Sequence, residues 1–160
     1  MKKAIVCITL CALLMLLLCS CFGDGTQDQG KGDASSSSSS TTLGDYTVII
    51  DSCRLSTDYE GKPIVIVKYK FSNNGDDPAC FAWTLEYHAY QNGIGLNECY
   101  FADDSANYST DNQTKEIKKG ASLYVEVAYT LNDAVTDVEI EVSEIFSFSD
   151  KKITKTFSID

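Results

Sequence analysis

From Tyr46 to the C-terminus, apolar and polar residues alternate with period two, the pattern of strands that bury one face. Tyr46 to Leu55 reads as a first strand, with Cys53 sharing a face with Ile49 and Leu55. Pro63 to Ser72 reads as a second, with Val65, Val67, Tyr69 and Phe71 on one side. Pro63 stands at its start, where a missing N–H costs least. Asn73-Asn74-Gly75-Asp76-Asp77-Pro78 is a cluster of turn formers. A third strand is predicted over Phe81 to Gln91, with Phe81, Trp83 and Leu85 on one face and Asn92-Gly93 closing it. Residues 102–114 read as a long polar loop, and Lys115 to Ile117 as a short strand. Ser122 to Leu131 aligns Leu123, Val125, Val127, Tyr129 and Leu131; Val138 to Phe148 aligns Val138, Ile140 and Val142; Lys152 to Ile159 ends the chain. No ten-residue window has helical spacing. Short strands separated by turns over residues 45–160 predict an all-β domain, an antiparallel β-sandwich.

The first twenty residues follow a different pattern. Lys2 and Lys3 precede an uncharged apolar run from Ala4 to Leu18, the layout of a signal peptide. The run ends in Leu18-Cys19-Ser20-Cys21, which matches the bacterial lipobox. Small residues before the cut suit a narrow peptidase site, and the Cys21 thiol is the atom that takes up a diacylglycerol. An uncleaved membrane helix is the competing reading, because about twenty apolar residues span a bilayer. Spanning alone does not call for Ser20-Cys21 at this place. Residues 1–20 are therefore expected to leave, and Cys21 to anchor the chain to the outer face of a bacterial cytoplasmic membrane. Two or three acyl chains hold a protein firmly, whereas one binds only reversibly.

The linker over residues 21–44 is rich in Ser and Gly, with six serines at Ser35 to Ser40. Nothing in it can bury apolar surface, so it is expected to be disordered. About twenty such residues have an r.m.s. reach of roughly 25 Å, enough to lift a domain clear of the headgroups.

Charge removes one class of partner. Without residues 1–20 the chain carries 11 Lys+Arg against 23 Asp+Glu, a net of −12. Affinity for nucleic acid comes largely from cationic contacts to phosphate, so no nucleic acid is expected. Of the seven cysteines, Cys53, Cys80 and Cys99 remain in the domain, enough for one bridge and one leftover thiol. With Phe81 inward, Cys80 is expected to point outward. A bridge, if formed, joins Cys80 and Cys99 and leaves Cys53 as a small buried residue.

Trp83 is in phase with Phe81 and Leu85 and is expected in the core. His88, the single histidine, is out of phase with them and is expected at the surface. Asp103, Asp104, Ser105, Asn107, Asp111 and Asn112 offer oxygens for calcium, but without the spacing and tight glycine turn of a calcium loop. No nucleophile motif, metal-ligand cluster or histidine pair is present, so no catalytic residue, metal or cofactor is expected.

The chain resembles a family of Gram-positive lipoproteins catalogued as domain of unknown function 5067. The resemblance runs through Asp51-Ser52-Cys53-Arg54-Leu55, Asp58-Tyr59-Glu60-Gly61-Lys62-Pro63 and Val65-Ile66-Val67-Lys68-Tyr69. It continues in Phe71-Ser72-Asn73-Asn74, Tyr90-Gln91-Asn92-Gly93, Lys115-Glu116-Ile117-Lys118-Lys119-Gly120 and Ser143-Glu144-Ile145-Phe146-Ser147-Phe148. It implies an immunoglobulin-like sandwich at a Gram-positive surface, and no activity. The cysteines do not bracket Trp83 at the inter-sheet spacing of familiar immunoglobulin domains. The expected role is a surface binding or accessory module for an envelope protein. A small-ligand or calcium-binding lipoprotein is the alternative, and an envelope hydrolase a third.

Overall fold

The computed structural model describes residues 40–100 and 106–159. The expected signal peptide, Cys21 and residues 22–39 lie outside the described residues. Strands β1 (Ser40–Leu43), β2 (Tyr46–Thr57), β3 (Pro63–Asn73) and β6 (Ser122–Thr130) form one sheet in the order β1-β2-β3-β6. Strands β4 (Leu85–Gln91), β5 (Ile94–Gly95), β7 (Val138–Glu144) and β8 (Lys152–Phe157) form the other, in the order β5-β4-β7-β8. Every neighbouring pair is antiparallel. The predicted antiparallel sandwich is the observed fold.

The core lies between the sheets. Val65, Val67, Tyr69 and Phe71 of β3 meet Leu85 and Ala89 of β4 and Val138, Ile140 and Val142 of β7. Phe81 is fully buried at the centre of an aromatic cluster, with ring centroids 4.9 Å from Tyr87, 5.2 Å from Tyr69 and 5.9 Å from Phe71. Such tilted and edge-on pairs match the ring quadrupoles as well as burying area.

The first sheet also buries part of its outer face. Ile64, Ile66 and Ala128 form a second, smaller core with Cys99 and Ala106, and Tyr108 packs against it. Arg54 donates from Nη2 to the carbonyls of Ala106 and Asn107 while it pairs with Glu126. The unbroken apolar run Ile64-Val65-Ile66-Val67 follows from this, because a strand covered on both faces does not alternate. The free edge of β6 is paired as well: Cys99 N donates to Ala128 O and Thr130 N to Asn97 O.

Several elements depart from the expected pattern. Ser40–Leu43 is a strand paired along β2, with Leu43 buried, so the sandwich begins ahead of residue 45. Between Ile50 and Ser52 the register shifts by a β-bulge. Val48 and Ile50 face the core before it, and Cys53, opposite Val67, faces the core after it, so Cys53 and Ile49 are on opposite faces. Lys155 Nζ donates to the carbonyls of Ile50 and Asp51 at 3.0 and 2.7 Å, occupying acceptors at the bulge. Lys115 to Ile117 contributes a single bridge, Ala79 to Ile117, rather than a strand. The strand from Val138 stops at Glu144, where the chain turns away through Phe146. Phe81–Thr84, expected at the start of a strand, is one helical turn, α1.

Candidate functional site

Helix α1 and the strand ends around it form one end of the sandwich. Four loops converge there. Asn73, fully buried, donates from Nδ2 to the carbonyls of Asp77 (2.8 Å) and Ile117 (3.0 Å) and accepts at Oδ1 from Gly75 N. This binds the loop after β3 to the one before β6. Ala79 and Ile117 exchange two backbone hydrogen bonds, and Ala82 N donates to Gln113 O. Ile145 N donates to Thr84 O, which ties the loop after β7 to α1. At the β1–β2 hairpin Gly44, at φ 54, leaves room for the Glu144 carboxylate: a Cβ there would lie 2.5 Å from its oxygens.

This end displays large apolar side chains. In a strand, Trp83 would follow Phe81 inward, but residues two apart on a helix lie about 200° apart around its axis. Phe81 points into the core and Trp83 is 73% exposed, which overturns its expected core position. Phe146 is 97% exposed, on a backbone at φ 57, and Phe148 is fully exposed. A bulky residue in the left-handed region is uncommon, because its Cβ crowds the following carbonyl. Neither phenylalanine was singled out from the sequence, where both were read into the end of a strand.

Beside this end, the bare outer face of the second sheet is polar. Cross-strand register aligns Glu86, Ser143 and Lys152 in one row and His88, Glu141 and Thr154 in the next. With the turn through Phe146, Ser147 and Asp150, all of these but Thr154 line an open hollow of about 540 Å³. Lys152 Nζ donates to Glu141 at 2.7 Å, so one lysine and one carboxylate of the hollow already satisfy each other. His88 is exposed, as its strand phase predicts.

The other candidates are not brought together. Cys80 is buried just before α1, against the expectation that it points outward, because a helical turn rather than a strand follows it. Cys99 belongs to the second core, and Cys53 is half-buried against the main one. All three are free thiols in this structure, Cys80 and Cys99 included, the pair that would be joined if a bridge forms. Burial pushes the Cys53 thiol above its ordinary pKa, with Lys155 opposing in part. In the polar loop, Asp103, Asp104 and Ser105 lie outside the described residues. Asn112 is engaged by Tyr124 O and Lys115. Among the described residues no group of three or more His, Cys, Asp and Glu is placed to hold a metal ion.

A solved structure described as that of "a putative lipoprotein from Staphylococcus aureus subsp. aureus NCTC 8325" shares the fold, with a TM-score of 0.55 at 17% identity over 76% of this chain and 93% of that one. No curated protein matches the sequence. The family model "Domain of unknown function (DUF5067)" matches residues 24–144, and the chain belongs to that family.

Proposed function

We propose, from this family membership and the chain's own residues, that the protein is a lipid-anchored surface module that makes contacts rather than catalyses a reaction. The anchor is Cys21, exposed as the first residue when a signal peptide of residues 1–20 is removed. The module is an immunoglobulin-like sandwich. Its strand order supports that assignment: β2-β3-β6 in one sheet and β5-β4-β7-β8 in the other match the A-B-E and C′-C-F-G orders of immunoglobulin domains.

The observation that carries the contact role is the aromatic end. Trp83, Phe146 and Phe148 are held in solvent by an end whose loops are pinned by Asn73 and by the Thr84–Ile145 bond. Exposed apolar groups on a fixed scaffold are a surface prepared for something to cover. Lipoproteins of the Gram-positive envelope are the setting in which such a module works.

Two measurements test this. Mass spectrometry of the mature N-terminus is expected to find a diacylglycerol-modified Cys21; an intact N-terminus at Met1 sinks the anchor. Photo-crosslinking from position 148 in living cells is expected to give a reproducible product. Absence of any product, with crosslinking from a buried position unchanged, removes the contact role.

A further inference from the structure

We infer that the surface covering the aromatic end is the lipid bilayer that holds the anchor, with Phe146 and Phe148 inserted at headgroup level and Trp83 beside them. This rests on the anchored-module reading and names what the module touches. Phe146 is the first ground. Its ring is 97% exposed, so packing inside the domain does not compensate for a left-handed backbone that bulky residues avoid. Phe148 repeats the exposure two residues on, and phenylalanine is among the apolar side chains that interfacial segments bury at the headgroup boundary, where tryptophan also gathers.

Charge distinguishes the two ends. The loops of the aromatic end, residues 44–45, 74–80, 115–121 and 144–152, hold five lysines against six carboxylates. Those lysines are nearly half of the 11 cationic residues in a chain of net −12 after residue 20. The opposite end, over residues 58–62 and 131–137, holds Lys62 against Asp58, Glu60, Asp133 and Asp137. An outer face rich in anionic lipid therefore repels the opposite end, at a net of −3, more than the aromatic end, at −1.

The N-terminal end of β1 lies nearer the aromatic end than the opposite one, although the strand itself runs toward the aromatic end. Ser40 pairs with Ile49, three residues from the start of β2 at the aromatic end, or about 10 Å along the strand. The far end of β2, at Thr57, is about 26 Å from that point. The 18 residues from 22 to 39 that separate the proposed anchor from Ser40 span at most about 60 Å, long enough for the aromatic end to reach the bilayer.

The test uses Trp83, the single tryptophan of the chain, as its reporter. The mature lipidated protein is reconstituted into phosphatidylcholine–phosphatidylglycerol vesicles with plain or brominated acyl chains. Trp83 emission is expected to shift to the blue and to be quenched by the brominated lipid. Each Phe→Ser change is expected to weaken the contact roughly tenfold. The double variant F146S/F148S should therefore restore water-exposed emission, while flotation with the vesicles and thermal melting stay unchanged. Wild-type protein that floats with vesicles yet gives identical emission with plain and brominated lipid overturns the inference and leaves the anchor intact. Failure to float overturns the anchor and this inference with it. Crosslinks from position 148 that capture one protein and no lipid overturn the bilayer contact but keep the contact role.

Discussion

Replacing Asn73 by Asp should make the stability of the domain depend on pH in a direction fixed by its neighbours. The change swaps the Nδ2 amide for an oxygen of the same size, with no change in packing. Two carbonyls, those of Asp77 and Ile117, then face an acceptor instead of a donor, while Gly75 N keeps its partner. When the new carboxyl is protonated it can still donate to one carbonyl, so the loss is one hydrogen bond, about 1 kcal/mol. When ionised it loses both and buries a charge against two carbonyl dipoles, for a total of about 3 kcal/mol. The gap of about 2 kcal/mol corresponds to a carboxyl held roughly 1.5 pK units above its unfolded value near 3.9. The folded pKa is raised, so the variant keeps its residual stability below about pH 4 and loses it as pH rises through about 5.5. Urea denaturation of wild type, N73D and N73L at pH 3 and pH 7 measures this. N73L should show a deficit that does not change with pH. An N73D deficit equal at both pH values would refute the account of Asn73 as a donor to two carbonyls.

Phe81→Ala empties the centre of the aromatic cluster and should cost about 3–5 kcal/mol in chemical denaturation, against less than about 0.5 for Phe148→Ala, whose ring packs on nothing. Burial raises the phenols of Tyr69, Tyr87 and Tyr129 above the ordinary tyrosine range. Groups whose folded pKa is raised stabilise the fold below their unfolded value near 10 and cease to do so above it. Absorbance titration should therefore show these phenols ionising only together with loss of near-ultraviolet circular dichroism. Intact mass after alkylation in denaturant without reductant should show three modified thiols in the mature domain, from Cys53, Cys80 and Cys99. Two fewer would show that two of the three are bridged.

Much of the fold was legible because β7, most of β6 and the second half of β3 alternate, and a period of two has one interpretation when one face is buried. The losses came where a single residue changed the phase. The extra residue at the Ile50–Ser52 bulge carries no signature in composition, and it reverses the face of everything after it. Helix α1 is one turn, too short for a helical period to register, and Phe81-Ala82-Trp83-Thr84-Leu85 alternates as well as any strand. That error hid both the exposure of Trp83 and the burial of Cys80. Strand β1 is a serine–threonine string with one apolar residue, and only its pairing to β2 makes it a strand. The second core had a signal that could be read: Ile64 and Ile66 are apolar where one-sided alternation calls for polar residues. The candidate site was barely legible, since its end is assembled by backbone bonds and by Asn73 from segments far apart in sequence.

On the proposed anchored module, the closed edge of β6 bears on life at high density on a membrane. Proteins confined to two dimensions meet one another at effective concentrations where open strand edges template fibrils. Here one margin of the first sheet is occupied by the chain's own Asn97–Cys99 segment, and the other ends in the four-residue β1. In the second sheet β5 is two residues long, and β8 carries Lys152 and Lys155, the latter bound to carbonyls across the sandwich. Neighbouring copies therefore have little backbone to extend, and crowding on a surface does not turn sandwiches into a continuous sheet.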